Sequence, residues 1–164
     1  MPKPKRLLVL GALALSSILL IAQPASATPP SVETFHEEGE FLFADCGTFQ
    51  LTETITVDVR ITTFFNEQGD AVSTTEHANV VGVITNSLSG NTYKDSAHLQ
   101  VFTDLTTGEV TVTGLAHLTT VPGLGLVLNG NGRVIFDANG NITFIAGQHN
   151  VLLGTAPNPC TVLL

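Results

Sequence analysis

The sequence predicts an all-β protein, an antiparallel meander that closes into a small β-barrel. Three observations carry this: period-two alternation, recurrent glycine turns, and threonine-rich segments without a sustained helical period. Alternation is clearest over residues 51–65, LTETITVDVRITTFF, where Leu51, Ile55, Val57, Val59 and Ile61 share one parity. Thr52, Thr54, Thr56, Asp58, Arg60 and Thr62 share the other. Successive strand side chains point to opposite faces, so this segment buries one face and solvates the other; a helix would scatter the same apolar groups around its circumference. Threonine supplies 22 of residues 28–164, a composition that suits pleated strands and disfavours helices.

Taken from the start, the chain opens with Lys3, Lys5 and Arg6, an apolar run over 7–22, and the small triplet Ala25-Ser26-Ala27. This is the pattern of a secretory signal peptide over 1–27, cleaved after Ala27. The apolar run has 16 residues, fewer than the roughly 20 that span a bilayer. No cysteine directly follows it and no twin arginine precedes it, so neither a lipid anchor nor export in the folded state is indicated. Residues 28–164 then form a single extracellular domain, long enough to bury one core. In that domain Arg60, Lys94 and Arg133 stand against all 14 acidic residues, a net charge of −11. Nucleic acid and anionic membrane surfaces are recognised through clustered Lys and Arg, so neither is an expected partner of the cleaved chain. Its only cysteines, Cys46 and Cys160, are expected to pair in an oxidising compartment. In the chain-entropy account such a long closed loop stabilises by on the order of 4 to 5 kcal/mol.

Residues 28–31 read as a linker, and 32–43 as one bent strand or two short ones with a bulge or bend at Gly39. His36, Glu37, Glu38 and Glu40 make its surface an acidic edge, which discourages pairing with other chains. After the 51–65 strand, three turns place a Phe before a polar loop closed by glycine: Phe65 to Asp70, Phe102 to Glu109, and Phe136 to Asn141. Asn86 to Gly90 is a fourth. In the last hairpin a three-residue loop sets Asp137 against Asn141, Phe136 against Ile142 and Val134 against Phe144, whereas a two-residue loop would oppose Phe136 and Thr143. The same residues resemble the opening of a calcium loop but lack its glycine and closing glutamate. Residues 110–120 and 124–136 carry Gly114, Ala116, Gly130 and Gly132, small groups that relieve crowding where a sheet coils. Long, locally connected strands that coil close most economically into a barrel; a two-layer sandwich is the alternative. Pro157 and Pro159 break the 151–164 tail.

No motif has the spacing that a known catalytic mechanism requires, so whether the protein is an enzyme stays open. The histidines fall on different strands, and pairing across residues 86–90 sets Asn79 opposite His98 and His77 opposite Gln100. The last hairpin sets His149 opposite Asn129, and His117 lies on the polar parity of its strand. A stripe containing His77, His98, His117 and His149 facing inward would suit a divalent transition metal or acid–base chemistry. Facing outward, it is solvated surface, the simpler reading because no pair has tight ligand spacing; no cofactor is predicted. Glu76 and His77 are adjacent and point apart, as do Asp95 and His98, so neither pair forms a carboxylate–imidazole couple. No serine or cysteine sits in a nucleophile elbow. The sequon Asn141-Ile142-Thr143 lies in a tight hairpin. The leading expectation is a barrel interior lined by Ile55, Val57, Val59, Leu126 and Phe144 that holds a small apolar molecule. The alternatives are a metal protein or enzyme using the histidine stripe, and a surface or matrix protein acting by contact.

Four short elements carry a family resemblance: Asp45-Cys46-Gly47-Thr48-Phe49; the turn from Phe65-Asn66 to Gly69-Asp70-Ala71-Val72; the turn from Ile84-Thr85-Asn86-Ser87 to Ser89-Gly90; and Asn158-Pro159-Cys160. With them the chain resembles a group of secreted actinobacterial proteins of unknown function that share an early and a late cysteine and two hairpins of this kind. It has Asp70-Ala71 where the group has Asn-Pro, and Ser89 where the group has Thr. The resemblance implies a secreted β-rich domain and supplies no activity or functional residue.

Overall fold

In the computed structural model, which describes residues 28–164, the alternating segments become seven strands. They are β1 (Ser31–Asp45), β2 (Gln50–Phe65), β3 (Ala71–Asn86), β4 (Thr92–Asp104), β5 (Val110–Val121), β6 (Gly125–Phe136) and β7 (Ile142–His149). The proposed signal peptide, 1–27, and the side chain of Leu126 lie outside the described residues. Every strand pairs antiparallel with the next, giving one meander sheet in the order β1 to β7. The sheet is open, with β1 and β7 as its two edges.

The turn chemistry sets most of the register. Gly140 adopts φ 80°, its N–H donates to Asp137 O at 2.9 Å, and the Asp137 N–H donates to Asn141 O at 2.9 Å, which is the three-residue loop. Phe136 therefore faces Ile142. The register then shifts between Ile135 and Phe136, so Val134 meets Ile145 rather than Phe144, and His149 meets Gly130 rather than Asn129. Across β3 and β4 the expected pairs hold, His77 with Gln100 and Asn79 with His98. Strand β1 runs unbroken through Gly39, which pairs in regular register with Ile55 and has open space where a Cβ would be. Its irregularity falls instead between Leu42 and Ala44, beside Phe43, which packs against the core.

The sheet curls sharply. Gly114, Gly132 and Gly147 form one row across β5, β6 and β7, and a Cβ on any of them would run into the backbone of the neighbouring strand. Only glycine permits that approach. Phe43 of β1 lies 6.4 Å, centroid to centroid, from the ring of His117 on β5; in a flat sheet four strand spacings would separate them by roughly 19 Å. The face enclosed by this curl is concave, and one end of it holds the core: Leu51, Ile84, Tyr93, Val121, Val127, Leu128 and Leu163.

Leu163 reaches that core because the tail folds back. The broken tail contains one turn of helix, α1 (Pro159–Val162), where Asn158 Oδ1 accepts from the Cys160 N–H at 2.9 Å and Pro159 presets the first helical φ. Cys160 is disulfide-bonded to Cys46, Cα–Cα 5.5 Å. Asn86 Nδ2 donates to Leu163 O at 2.9 Å, and Asn91 Nδ2 and the Tyr93 hydroxyl both donate to Leu164 O.

Candidate functional site: a buried acid–base cluster beside an apolar groove

Among the buried polar side chains on the concave face, three stand where apolar ones would be expected. Glu53 stands on the apolar parity of β2 between Leu51 and Ile55, Asp95 stands on β4 between Tyr93 and Ala97, and Thr119 stands on β5. They are 3%, 6% and 0% exposed. Strand β3 separates Glu53 from Asp95, but the residue opposite Asp95 is Gly82, and a Cβ there would overlap Glu53 Oε1. The missing side chain lets the Glu53 carboxyl cross β3 towards Asp95.

His117 joins this cluster through a bulge. The β5–β6 register shifts between Leu115 and His117, which inverts the alternation beyond that point and turns His117 onto the concave face. Its Nδ1 donates to Asp95 Oδ2 at 2.8 Å, while Thr119 Oγ1 donates to Asp95 Oδ1 at 2.8 Å. Burial opposes ionisation of Asp95, but the hydrogen bonds from His117 and Thr119 outweigh it and hold the carboxyl below the usual carboxylate range. The hydrogen bond to Asp95 raises the His117 imidazole above its ordinary value against the effect of burial. Burial, reinforced by the Asp95 carboxylate, pushes Glu53 up from 4.5 to about 7. Chemically the trio is an ionised Asp95, an imidazole whose protonated form that charge favours, and a carboxyl that keeps its proton into the neutral range. With Nδ1 committed to Asp95, Nε2 is the nitrogen left for a ligand.

The ring of His117 lines an apolar groove of about 450 Å³ walled by Val112, Ala116, Gly130, Val134, Phe136, His149, Val151 and Leu152. Gly130 pairs with His117 on one side and His149 on the other, so no side chain fills the space between the two imidazoles. His149 Nε2 lies 3.0 Å from Ala146 O; a carbonyl only accepts, so that nitrogen carries the proton. A second hollow of about 310 Å³, bounded by Phe43, Leu128, Ala156 and Pro157, shares His117 and Val151 with the groove. His117 therefore stands where two apolar spaces meet.

The predicted site residues are divided by this geometry. Ile55, Val57 and Val59 lie half-buried on the concave face, opposite Gly82, Val80 and Ala78, but outside the groove wall. Phe144 pairs with Ile135 on the opposite, convex face, under the Arg133 guanidinium 5.8 Å from its ring centroid. Of the histidine stripe, His77 and His98 line a shallow depression on the convex side with Asn79 and Gln100, whereas His117 and His149 flank the groove. Among the described residues no group of three His, Cys, Asp or Glu side chains has metal-holding geometry. Sequence reasoning missed Glu53, and the pairing of Asp95 with His117. The legible signal was a charge at core parity: Glu53 within the Leu51 to Ile61 series and Asp95 between Tyr93 and Ala97. The bulge that places His117 left no such mark.

Compared with protein-family models, curated proteins and solved structures, the chain gives no match.

Proposed function

We propose that this is a secreted, extracellular binding protein that holds a small apolar molecule in the groove across β5, β6 and β7, with His117 as its polar contact. One observation carries the reading: an apolar space of about 450 Å³, within the size range of small-molecule sites, has in its wall an imidazole oriented from behind by a buried carboxylate. Ordinary packing does not ask for such a group. In this reading the curled meander works as a barrel with one side open, and pairing of β7 with β1 around a ligand would complete the closure. The test is binding of heptane and methyl pentyl ketone, followed by the methyl resonances of Val112 and Val134, in the wild type and in Gly130→Ile. A Cβ at Gly130 meets its nearest atoms at an ordinary 3.5 Å, so the variant fills the groove with its longer side chain while the strand is retained. Binding by the wild type and its loss in a folded Gly130→Ile support the reading; no binding of either probe contradicts it.

The Asp95–His117 pair favours a second reading, an acid–base enzyme in which His117 moves a proton on the groove's occupant. Exchange of the probe ketone's α-hydrogens for solvent deuterium, abolished in His117→Gln, would support it; exchange at the uncatalysed rate would count against it.

A further inference from the structure

Resting on that reading of the groove, the structure also specifies the kind of head group the groove accepts. Across their 2.8 Å contact a protonated His117 can at most neutralise Asp95, and Glu53, the third member, contributes either nothing or a negative charge. The cluster is therefore never net positive while Asp95 is ionised. The remaining groove wall holds no Lys or Arg, its other titratable side chain being His149, and residues 28–164 carry 14 acidic groups against three basic ones. An anionic head group would exchange water for an apolar wall without a fixed compensating charge, which is costly. A cationic head group would face a ring whose free nitrogen presents a proton. The Asp95 carboxylate 2.8 Å from Nδ1 favours the doubly protonated ring, and in that form the one group left to offer is the Nε2–H, which can only donate.

We infer that the groove takes an uncharged apolar molecule bearing a carbonyl oxygen, which accepts a hydrogen bond from His117 Nε2 while its hydrocarbon part lies along Val112, Val134 and Phe136. Asp95 and Thr119 are positioning residues: they hold the ring and touch no ligand. Glu53, seated over Gly82, stands behind Asp95, and below about pH 7 it is protonated and adds no second buried anion. A carbonyl suits the Nε2–H because it accepts and brings no donor of its own.

The experiment compares methyl pentyl ketone, heptanoate and heptane on the full chain, in the wild type and in His117→Phe, by methyl resonance titration. Ketone affinity at least about tenfold above heptanoate, and a loss of about tenfold or more in His117→Phe with heptane affinity unchanged, is expected for a hydrogen bond from a charged donor. Should His117→Phe fail to fold, the carbonyl carbon resonance of the ketone bound to wild type gives the answer alone. It moves downfield of its position in hydrocarbon solvent if the bond is made. Heptanoate binding more tightly than the ketone, or a carbonyl resonance like that in hydrocarbon, overturns the head-group inference and leaves the apolar groove standing. No binding of ketone or heptane overturns both.

Discussion

Glu53 of β2 and Asp95 of β4 approach one another across a strand that belongs to neither, through the space left by Gly82. Two carboxyls brought together in a buried place cannot both ionise cheaply, so the arrangement assigns a proton to Glu53 and a charge to Asp95. The imidazole of His117 then takes its orientation from that charge. Glycine at position 82 is thus a condition for the chemistry of a residue two strands along.

Gly82→Ala will displace the Glu53 carboxyl. The conflict is with the far end of a flexible side chain, so the protein should still fold, with a cost of about 1 to 3 kcal/mol from the disturbed polar contact. Equilibrium urea unfolding should show that cost in the wild-type background and only a small remainder in a Glu53→Ala background. Equal costs in both backgrounds would mean that the two positions are independent.

Stability should peak on the acid side of neutrality. Glu53 has a folded pKa raised from 4.5 to about 7, so the folded state binds more protons there, and its contribution is present below 4.5 and lost as pH rises through about 7. His117, also raised, acts in the same direction: its contribution is present below 6.5 and lost as pH rises through its folded value. Asp95, lowered, contributes above 3.8 and loses that contribution as pH falls through its folded value. For Glu53 the change amounts to at most about 3 kcal/mol. Thermal unfolding across pH should show a decline from weakly acidic to alkaline conditions, and Glu53→Gln should flatten it, with the variant the more stable protein in mild alkali.

The tail is expected to hold the core end closed. Leu163 is fully buried, and Leu163→Ala should cost about 2 to 5 kcal/mol. Reduction of the Cys46–Cys160 bond, which closes a loop with a sequence separation of 114, should lower stability by about 2 to 5 kcal/mol. Chemical denaturation with and without reductant measures both, and a reduced protein as stable as the oxidised one would contradict the role given to the tail.

Much of this architecture was legible because strands and turns are local. The 51–65 alternation, the four turn glycines and the β3–β4 register all follow from residues close together in sequence. The barrel was inferred from coiling, and the sheet does curl, enough to bring Phe43 of β1 within 6.4 Å of the His117 ring on β5. Closure, however, depends on whether the ends of a seven-strand chain meet, which no local pattern encodes. The site was hidden for a related reason. Strict alternation puts His117 on the face of His98, and one extra residue at the β5 bulge reverses that; the same kind of slip moved Phe144 away from Val134. Glu53 could have been found, because a glutamate on an otherwise apolar parity must have a partner or keep its proton.

The measurement that bears most directly on the central claim is a titration of uniformly nitrogen-labelled protein with methyl pentyl ketone, following the ring nitrogens of the histidines. The account predicts that Nε2 of His117 shifts on binding, that its Nδ1 retains the signature of a proton shared with Asp95, and that His36, His77 and His98 do not respond. Saturable binding with an unchanged His117 ring, or with the response at His77 and His98, would contradict it.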